Sequence, residues 1–317
     1  MFAITFQTAL VAILQIFLMA SIGFLLAKQG VLTNEALKLL SALTVNVFFP
    51  CFSFYQLTHH FDFKAIPFWW IFPCISLTIT ATAMTVSSLI LCWRKDFTYK
   101  NEFRAVVSIH NAGYLPLLLV TTLPLGAQAD ILYIYILLAL IGFDLSLWSL
   151  GVWLLNRTSG FKMQWQQLIN PPLMTLISAL VMVALGWHQW IPEPVVKPVK
   201  LLGDCAMPMA MIVIGGNLAL TSFVKVKATN VAMACVAKLL ILPTLALIAV
   251  LTIPMDPLIS LLIMIQSAVP TGMTLSIIGR HHNTRGQDFV NQTIFFTHLL
   301  SLITLPVFLT IYSYLMR

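Results

Sequence analysis

Residues 110–116 read His110-Asn111-Ala112-Gly113-Tyr114-Leu115-Pro116, and residues 266–272 read Gln266-Ser267-Ala268-Val269-Pro270-Thr271-Gly272. Each stretch sits in the middle of an apolar run of membrane-spanning length and puts polar residues, a glycine and a proline there. Proline withdraws a backbone donor and clashes with the carbonyl one turn back, while glycine relaxes the backbone. Read alone, either stretch is a proline kink, which is common in membrane helices. At corresponding places in two halves of one chain, they point to two broken helices crossing at the membrane centre. Half-helix N-termini there carry roughly half a positive charge each and free N–H groups, which suits a carboxylate. The candidate binding residues are Asn111, Gly113, Tyr114, Pro116, Gln266, Ser267, Pro270 and Thr271.

The sequence around these stretches sets the class. Of 317 residues, 60% are hydrophobic and only 9% charged. Soluble domains carry roughly 25% charged residues, so this chain lacks the polar material for a water-facing surface. An ordinary two-domain cytosolic enzyme is excluded, and so is intrinsic disorder, which has the opposite composition. A mean hydropathy of +0.95 points to a polytopic membrane protein. The net charge of +7 comes from Lys and Arg scattered between apolar runs, with no basic stripe for nucleic acid. Cys51, Cys74, Cys92, Cys205 and Cys235 form no CxxC pair and read as reduced packing residues, neither disulfides nor a metal site. No metal or cofactor is expected.

Apolar runs fall at 4–27, 36–57, 66–93, 103–125, 131–155, 168–187, 198–222, 229–253, 257–279 and 289–315. The expected fold is therefore all-α, with ten transmembrane helices, because lipid offers no partner to an unpaired backbone. The first run has no basic leader segment and is too long for the core of a signal peptide. Twelve basic residues, among them Lys28, Arg94, Arg104, Arg157, Lys225 and Arg280, collect on one side of the spans. The other side has Lys64, Lys197, Lys200 and Arg317. By the positive-inside bias, the odd-to-even connectors are cytoplasmic and both termini lie outside.

Sliding the chain on itself by about 158 residues sets Pro50 on Pro208, Asn46 on Asp204 and Asp130 on Asp288. A two-residue slip matches Ala112 with Ala268. These matches divide the chain into five-helix repeats at 1–160 and 161–317. A unit with an odd number of spans inserts its copy upside down, which is the inverted-repeat architecture of many secondary transporters.

Ionisable groups at depth supply a second signal, since a charge at the bilayer centre costs about 3 kcal/mol or more without a partner. Asp144 lies in the fifth span, Asp204 in the seventh, Lys238 in the eighth and His298 in the tenth. Lys238 either balances the charge of an anionic substrate or pairs with Asp144. His110 and His298 read as hydrogen-bonded packing residues. Phe68, Trp69, Trp70, Trp93, Trp187 and Trp190 lie at span ends as interfacial anchors. The methionines read as filler, and His281-His282 as a solvated turn.

The segments Asn111-Ala112-Gly113-Tyr114-Leu115-Pro116-Leu117, Asn170-Pro171-Pro172, Leu201 to Leu220 with Ile214-Gly215-Gly216-Asn217-Leu218, and Ser267 to Thr271 with the His298–Pro306 tail stand in a specific order and spacing. In these the chain resembles the auxin efflux carrier family, with its bacterial organic-anion and malonate-type members and plant PIN-like carriers, within the bile-acid/auxin/arsenite transporter superfamily. The resemblance implies two inverted five-helix repeats. Spans 1, 2, 6 and 7 would form a scaffold, through which a homodimer would form, and spans 3–5 and 8–10 a transport domain moving by an elevator mechanism. It implies that a small organic anion binds at the crossing of the broken helices, with Asn46 and Asp204 facing it from the scaffold. It also implies a place in the bacterial inner membrane among lipid. The short connector from Asn156 to Trp165 leaves no room for the long central loop of the plant members. A sodium-coupled symporter of the bile-acid type is the nearest rival, although few carboxylates stand in the transport domain. An intramembrane enzyme would need paired aspartates, HExxH or a nucleophile–base couple, and none occurs. A sensor would usually add a soluble domain.

Overall fold

The computed structural model describes residues 6–94, 96–156, 170–221, 226–281 and 286–316. In chain order the helices are α1 (Phe6–Lys28), α2 (Asn34–His60), α3 (Ile71–Trp93), α4 (Lys100–Ser108), α5 (Tyr114–Thr122) and α6 (Gln128–Leu155). They continue with α7 (Pro171–Ala184), α8 (Glu193–Ala219), α9 (Ala228–Thr252), α10 (Pro257–Ala268), α11 (Thr274–His281) and α12 (Gln287–Leu315). Among the described residues, seven of these are long and apolar enough to cross a membrane: α1, α2, α3, α6, α8, α9 and α12. The expected boundary at residue 160 and the Asn156–Trp165 connector fall largely outside the described residues.

Local sequence explains where the helices begin. Asn170 and Asp256 each precede a proline, whose missing N–H costs nothing in the first turn. The Asn170 carboxamide accepts from Leu173 N at 2.9 Å, and the Asp256 carboxylate accepts from Leu258 N at 2.8 Å. Each satisfies an end amide that nothing else in the helix can reach.

Inside the long helices, prolines sit beside widened turns. Thr44–Phe48 in α2 and Ala237–Ile241 in α9 are π-type turns, closely followed by Pro50 and Pro243. A wider turn moves the preceding carbonyls out of the way of the pyrrolidine ring. Pro208 follows a break of its own, at Cys205, between the two segments of α8.

Packing depends on small residues. One face of α1, built from Ala9, Ala12, Ile13, Ile16, Ala20, Gly23 and Ala27, is buried, while Leu14, Leu18, Ile22 and Leu25 point outward. The buried face lies on α8. A Cβ added at Gly23 would stand 2.0 Å from the Ile212 carbonyl oxygen, and one at Gly215 would stand 1.7 Å from that of Ala20. Backbones approach this closely only across glycine, the usual device of membrane helix pairs. Gly142 of α6 does the same against Pro73 of α3, where a Cβ would lie 2.2 Å from the carbonyl oxygen.

Contacts fall into two groups. In one, α1, α2, α7 and α8 pack together. In the other, α3 packs on α6 and α4, and α9 packs on α10 and α12. The two groups meet where α1 packs on α12, where α6 packs on α2 and α7, and where α5 touches α1 and α8.

Candidate functional site at the crossing of two interrupted helices

α4 ends at Ser108, and the chain runs through residues 109–113 without helix before α5 begins at Tyr114. α10 ends at Ala268, and residues 269–273 separate it from α11. Non-helical backbone at this depth survives only where protein buries it and its polar groups find partners. Here the two breaks serve each other. They run antiparallel, with His110 opposite Thr271. Asn111 N donates to the Pro270 carbonyl at 2.9 Å, and Gly272 N donates to the Ile109 carbonyl at 3.0 Å.

Glycine is required at residue 272, because a Cβ there would lie 2.8 Å from the His110 carbonyl oxygen. Pro270 lies within the extended stretch and gives its carbonyl to the bridge. Pro116 does not cause the first break. It occupies the third position of α5, where no intrahelical donor is needed.

Side chains brace this frame. Gln266 donates from Nε2 to the Ala112 carbonyl at 3.0 Å, so its Oε1 accepts from His110 Nε2 at 3.0 Å. The Thr271 hydroxyl donates to the Val106 carbonyl at 2.8 Å. Its backbone N–H donates to Thr297 Oγ1 at 3.4 Å. His298 Nδ1 donates to the Ile294 carbonyl at 2.8 Å. Its Nε2 is thereby left as an acceptor for the Asn111 carboxamide at 3.5 Å.

Asn111, Gln266, Ser267 and Thr271 are buried at the crossing, as is Pro116, while Gly113 and Tyr114 are half-buried. Among the described residues, no side chain caps the N-terminus of α5. Tyr114 turns toward α2, its ring meeting Phe49 edge-on with centroids 5.4 Å apart. A small apolar recess separates α1 and α8 from this region, lined by Ile16, Phe17, Ala20, Leu115, Met211, Ile214 and His298.

Other expected residues lie apart. Asn46 is exposed in the widened turn of α2. Asp204 is also exposed and pairs with Lys200 at 2.8 Å, one turn back on its own helix. Lys238 is fully buried in the widened turn of α9, and its Nζ has no hydrogen-bond partner. It forms no ion pair with Asp144, which is half-buried on α6 and acts electrostatically on Tyr114. The pairing of Lys238 with Asp144 entertained from depth alone is therefore not the arrangement in the fold. Depth along a span fixes height but not the face of the helix.

His110 does more than fill space: it links the two breaks through Gln266. Depth in a span does not disclose that role, and it gives no hint of Thr297. A signal for His110 was present, because His110 and Gln266 are 156 residues apart, the same offset that matches Ala112 with Ala268. Among the described residues, no cluster of three or more His, Cys, Asp or Glu side chains could hold a metal ion.

Interrupted, mutually bridged helices inside an apolar bundle are an arrangement that secondary transporters use at their binding sites. The chain belongs to the membrane transport protein family of auxin efflux and PIN-like carriers, whose family model matches residues 8–157 and 155–309. That family is one of membrane transporters, not enzymes. Among curated relatives, the chain is similar to Protein PIN-LIKES 5 of Arabidopsis thaliana, at 27% identity over 166 residues, covering 48% of this chain and 41% of that protein. It is also similar to an uncharacterized transporter of Schizosaccharomyces pombe, at 30% identity over 111 residues, covering 35% of this chain and 25% of that protein. The matched region thus spans less than half the length of either relative.

Proposed function

We propose that this protein is a secondary carrier for a small organic anion, bound where the two interrupted helices cross. The observation that carries this reading is the antiparallel bridge between residues 109–112 and 270–272. It brings the N-termini of α5 and α11 to one place inside the bundle. Helix N-termini attract anions through their free amides and their dipoles. Asn111, Gly113, Tyr114, Pro116, Gln266, Ser267, Pro270 and Thr271 form the binding region in this reading.

The chain crosses the membrane ten times in this reading, as inverted repeats 1–160 and 161–317, with α4–α5 and α10–α11 as broken spans. Three observations support this. The family model matches in two stretches that meet near residue 156. His110 and Gln266, equivalent under the repeat, hydrogen-bond to each other as residues beside a two-fold axis do. The packing of α1, α2, α7 and α8 on one another supports reading them as a scaffold, with the rest as a transport domain. An elevator-type movement of the second group against the first carries the anion across.

In this reading Lys238, buried in the moving group, balances the charge of the cargo, half-buried Asp144 on the same group takes part in coupling, and Asn46 and Asp204 belong to the scaffold. In this reading the membrane is a bacterial inner membrane with both termini outside the cytoplasm, an orientation that the positive-inside bias supports. The outward apolar face of α1 meets lipid or a second copy.

The test is uptake of labelled mono- and dicarboxylates by the purified protein in liposomes, with and without pH or sodium gradients. Saturable uptake that Asn111→Ala abolishes is the expected result. Uptake that requires sodium would favour a symporter of the bile-acid type. No uptake of any anion, together with no anion-dependent thermal shift, would overturn the proposal.

A further inference from the structure

His110 connects the crossing to a second set of buried polar groups. Because its Nε2–H is given to Gln266, its Nδ1 is the nitrogen left free, and Nδ1 is buried without a hydrogen-bond partner. Lys238 Nζ is buried and unpartnered as well, and Lys238 acts electrostatically on His110. The Ser108 carbonyl faces the same ring and would accept from a proton on Nδ1.

Hydroxyls complete the set. Ser76 Oγ and Thr80 Oγ1 of α3 and Thr293 Oγ1 of α12 are all buried without a partner. Both helices pack on the widened turn that carries Lys238. Elsewhere on α3 the hydroxyls of Thr78, Thr85 and Ser87 donate back to their own helix. Those of Ser76, Thr80 and Thr293 make no such bond.

We infer that Lys238 and His110 form a two-base proton site, which takes up one proton as the anion binds at the crossing and returns it as the anion leaves. Two cations that feel each other in a water-poor interior repel, so the pair holds one charge at a time. Among the described residues, no carboxylate bonds to either base to neutralise that charge. The elements around the pair also carry Cys74 and Cys92 on α3, Lys100, Glu102 and Arg104 on α4, Asp130, Tyr133, Tyr135 and Asp144 on α6, Cys235 on α9, and Asp288, His298, Tyr312 and Tyr314 on α12. None of them bonds to Lys238.

The charge that stabilises the pair is the cargo's own. It is felt through a short frame, because the backbone of His110 is part of the bridge and its ring is held by Gln266, which also holds Ala112. The proton comes from solution, forms an N–H bond on the free base, and leaves as that bond breaks, so no other reactant is consumed. This deepens the carrier reading and rests on it, by naming the coupling ion. One proton with one monovalent anion is electroneutral, and a pH gradient of one unit then drives about tenfold accumulation.

The pair is tested without any cargo by NMR of the purified full chain with labelled lysine and histidine. Lys238 and His110 resonances are assigned from Lys238→Met and His110→Asn, and pH is varied from 5 to 9. A single transition reported by both residues is expected, and His110→Asn should move the Lys238 transition by one pH unit or more. A Lys238 that stays an ammonium throughout, or that titrates identically in the natural protein and in the His110→Asn variant, overturns the inference.

Liposome uptake of the labelled carboxylates supplies the second arm. An acid exterior should stimulate the natural protein at least fivefold. It should not stimulate Lys238→Arg, whose charge is permanent. Uptake indifferent to the pH gradient refutes proton coupling and leaves the carrier standing. No uptake at all removes the carrier, and the titration still decides whether the pair shares a proton.

Discussion

Gln266→Leu removes one side chain and opens two buried hydrogen bonds, each 3.0 Å long. Leucine has nearly the volume of glutamine, so little of the effect comes from a cavity. What remains is a His110 N–H and an Ala112 carbonyl without their partner, in a region where His110 and Ala112 are at most 2% exposed. A buried group stripped of its partner costs about 1–3 kcal/mol, giving about 2–6 kcal/mol for the two. Measurements within bilayers average only about 0.6 kcal/mol per bond, because the unfolded chain finds other partners there. About 1 kcal/mol is therefore the floor, and the burial of this crossing argues for about 2 kcal/mol or more.

The assay is reversible unfolding of the purified protein in mixed micelles of increasing denaturing detergent, followed by tryptophan fluorescence. Gln266→Glu serves as the second variant. It keeps the acceptor for His110 and sets an oxygen against the Ala112 carbonyl, so it should lose at least as much. A Gln266→Leu protein within about 0.5 kcal/mol of the natural one, the range of an ordinary surface substitution, would refute the view that Gln266 holds the breaks together.

Three more outcomes follow from the packing. Gly272→Ala puts a methyl 2.8 Å from the His110 carbonyl oxygen and should destabilise by about 1–3 kcal/mol in the same assay, with loss of uptake. Gly215→Val drives α1 and α8 apart, since even a Cβ would lie 1.7 Å from the Ala20 oxygen; the variant should not elute as a single symmetric peak in gel filtration. Asp256→Ala deletes the cap on α10 and should cost about 1 kcal/mol, recovered by Asp256→Asn, which still accepts from Leu258 N.

The helical pattern was legible in the sequence because apolar length is a one-dimensional signal. The side-chain caps at Asn170 and Asp256 are seen in the structure, where each precedes a proline at a helix start. The two breaks were legible for the same reason, since polar residues inside an apolar run stand out without any knowledge of neighbours. Which partners those residues choose was not. Asp204 was expected to face the crossing from the scaffold, yet its nearest cation was Lys200, one turn away on the same helix. Lys238 and Asp144 both fall inside apolar runs, but on different helices they act on different neighbours, His110 and Tyr114. Pro116 was read as a breaker, although a proline three residues into a helix obstructs nothing. Angular position around a helix axis decides such questions, and a linear string carries it only weakly.

The bridge at the crossing is made of main-chain groups, N–H to carbonyl, at Asn111 to Pro270 and Gly272 to Ile109. Apart from the glycine, these main-chain bonds need no particular side chain at the residues they join, although Gln266 and Thr271 brace the seam from beside it. The Asn111 N–H reaches Pro270 whatever side chain the residue carries, while its carboxamide turns to His298. Under the carrier proposal, the side chains around such a seam could change which cargo is recognised without the backbone beneath them being rebuilt.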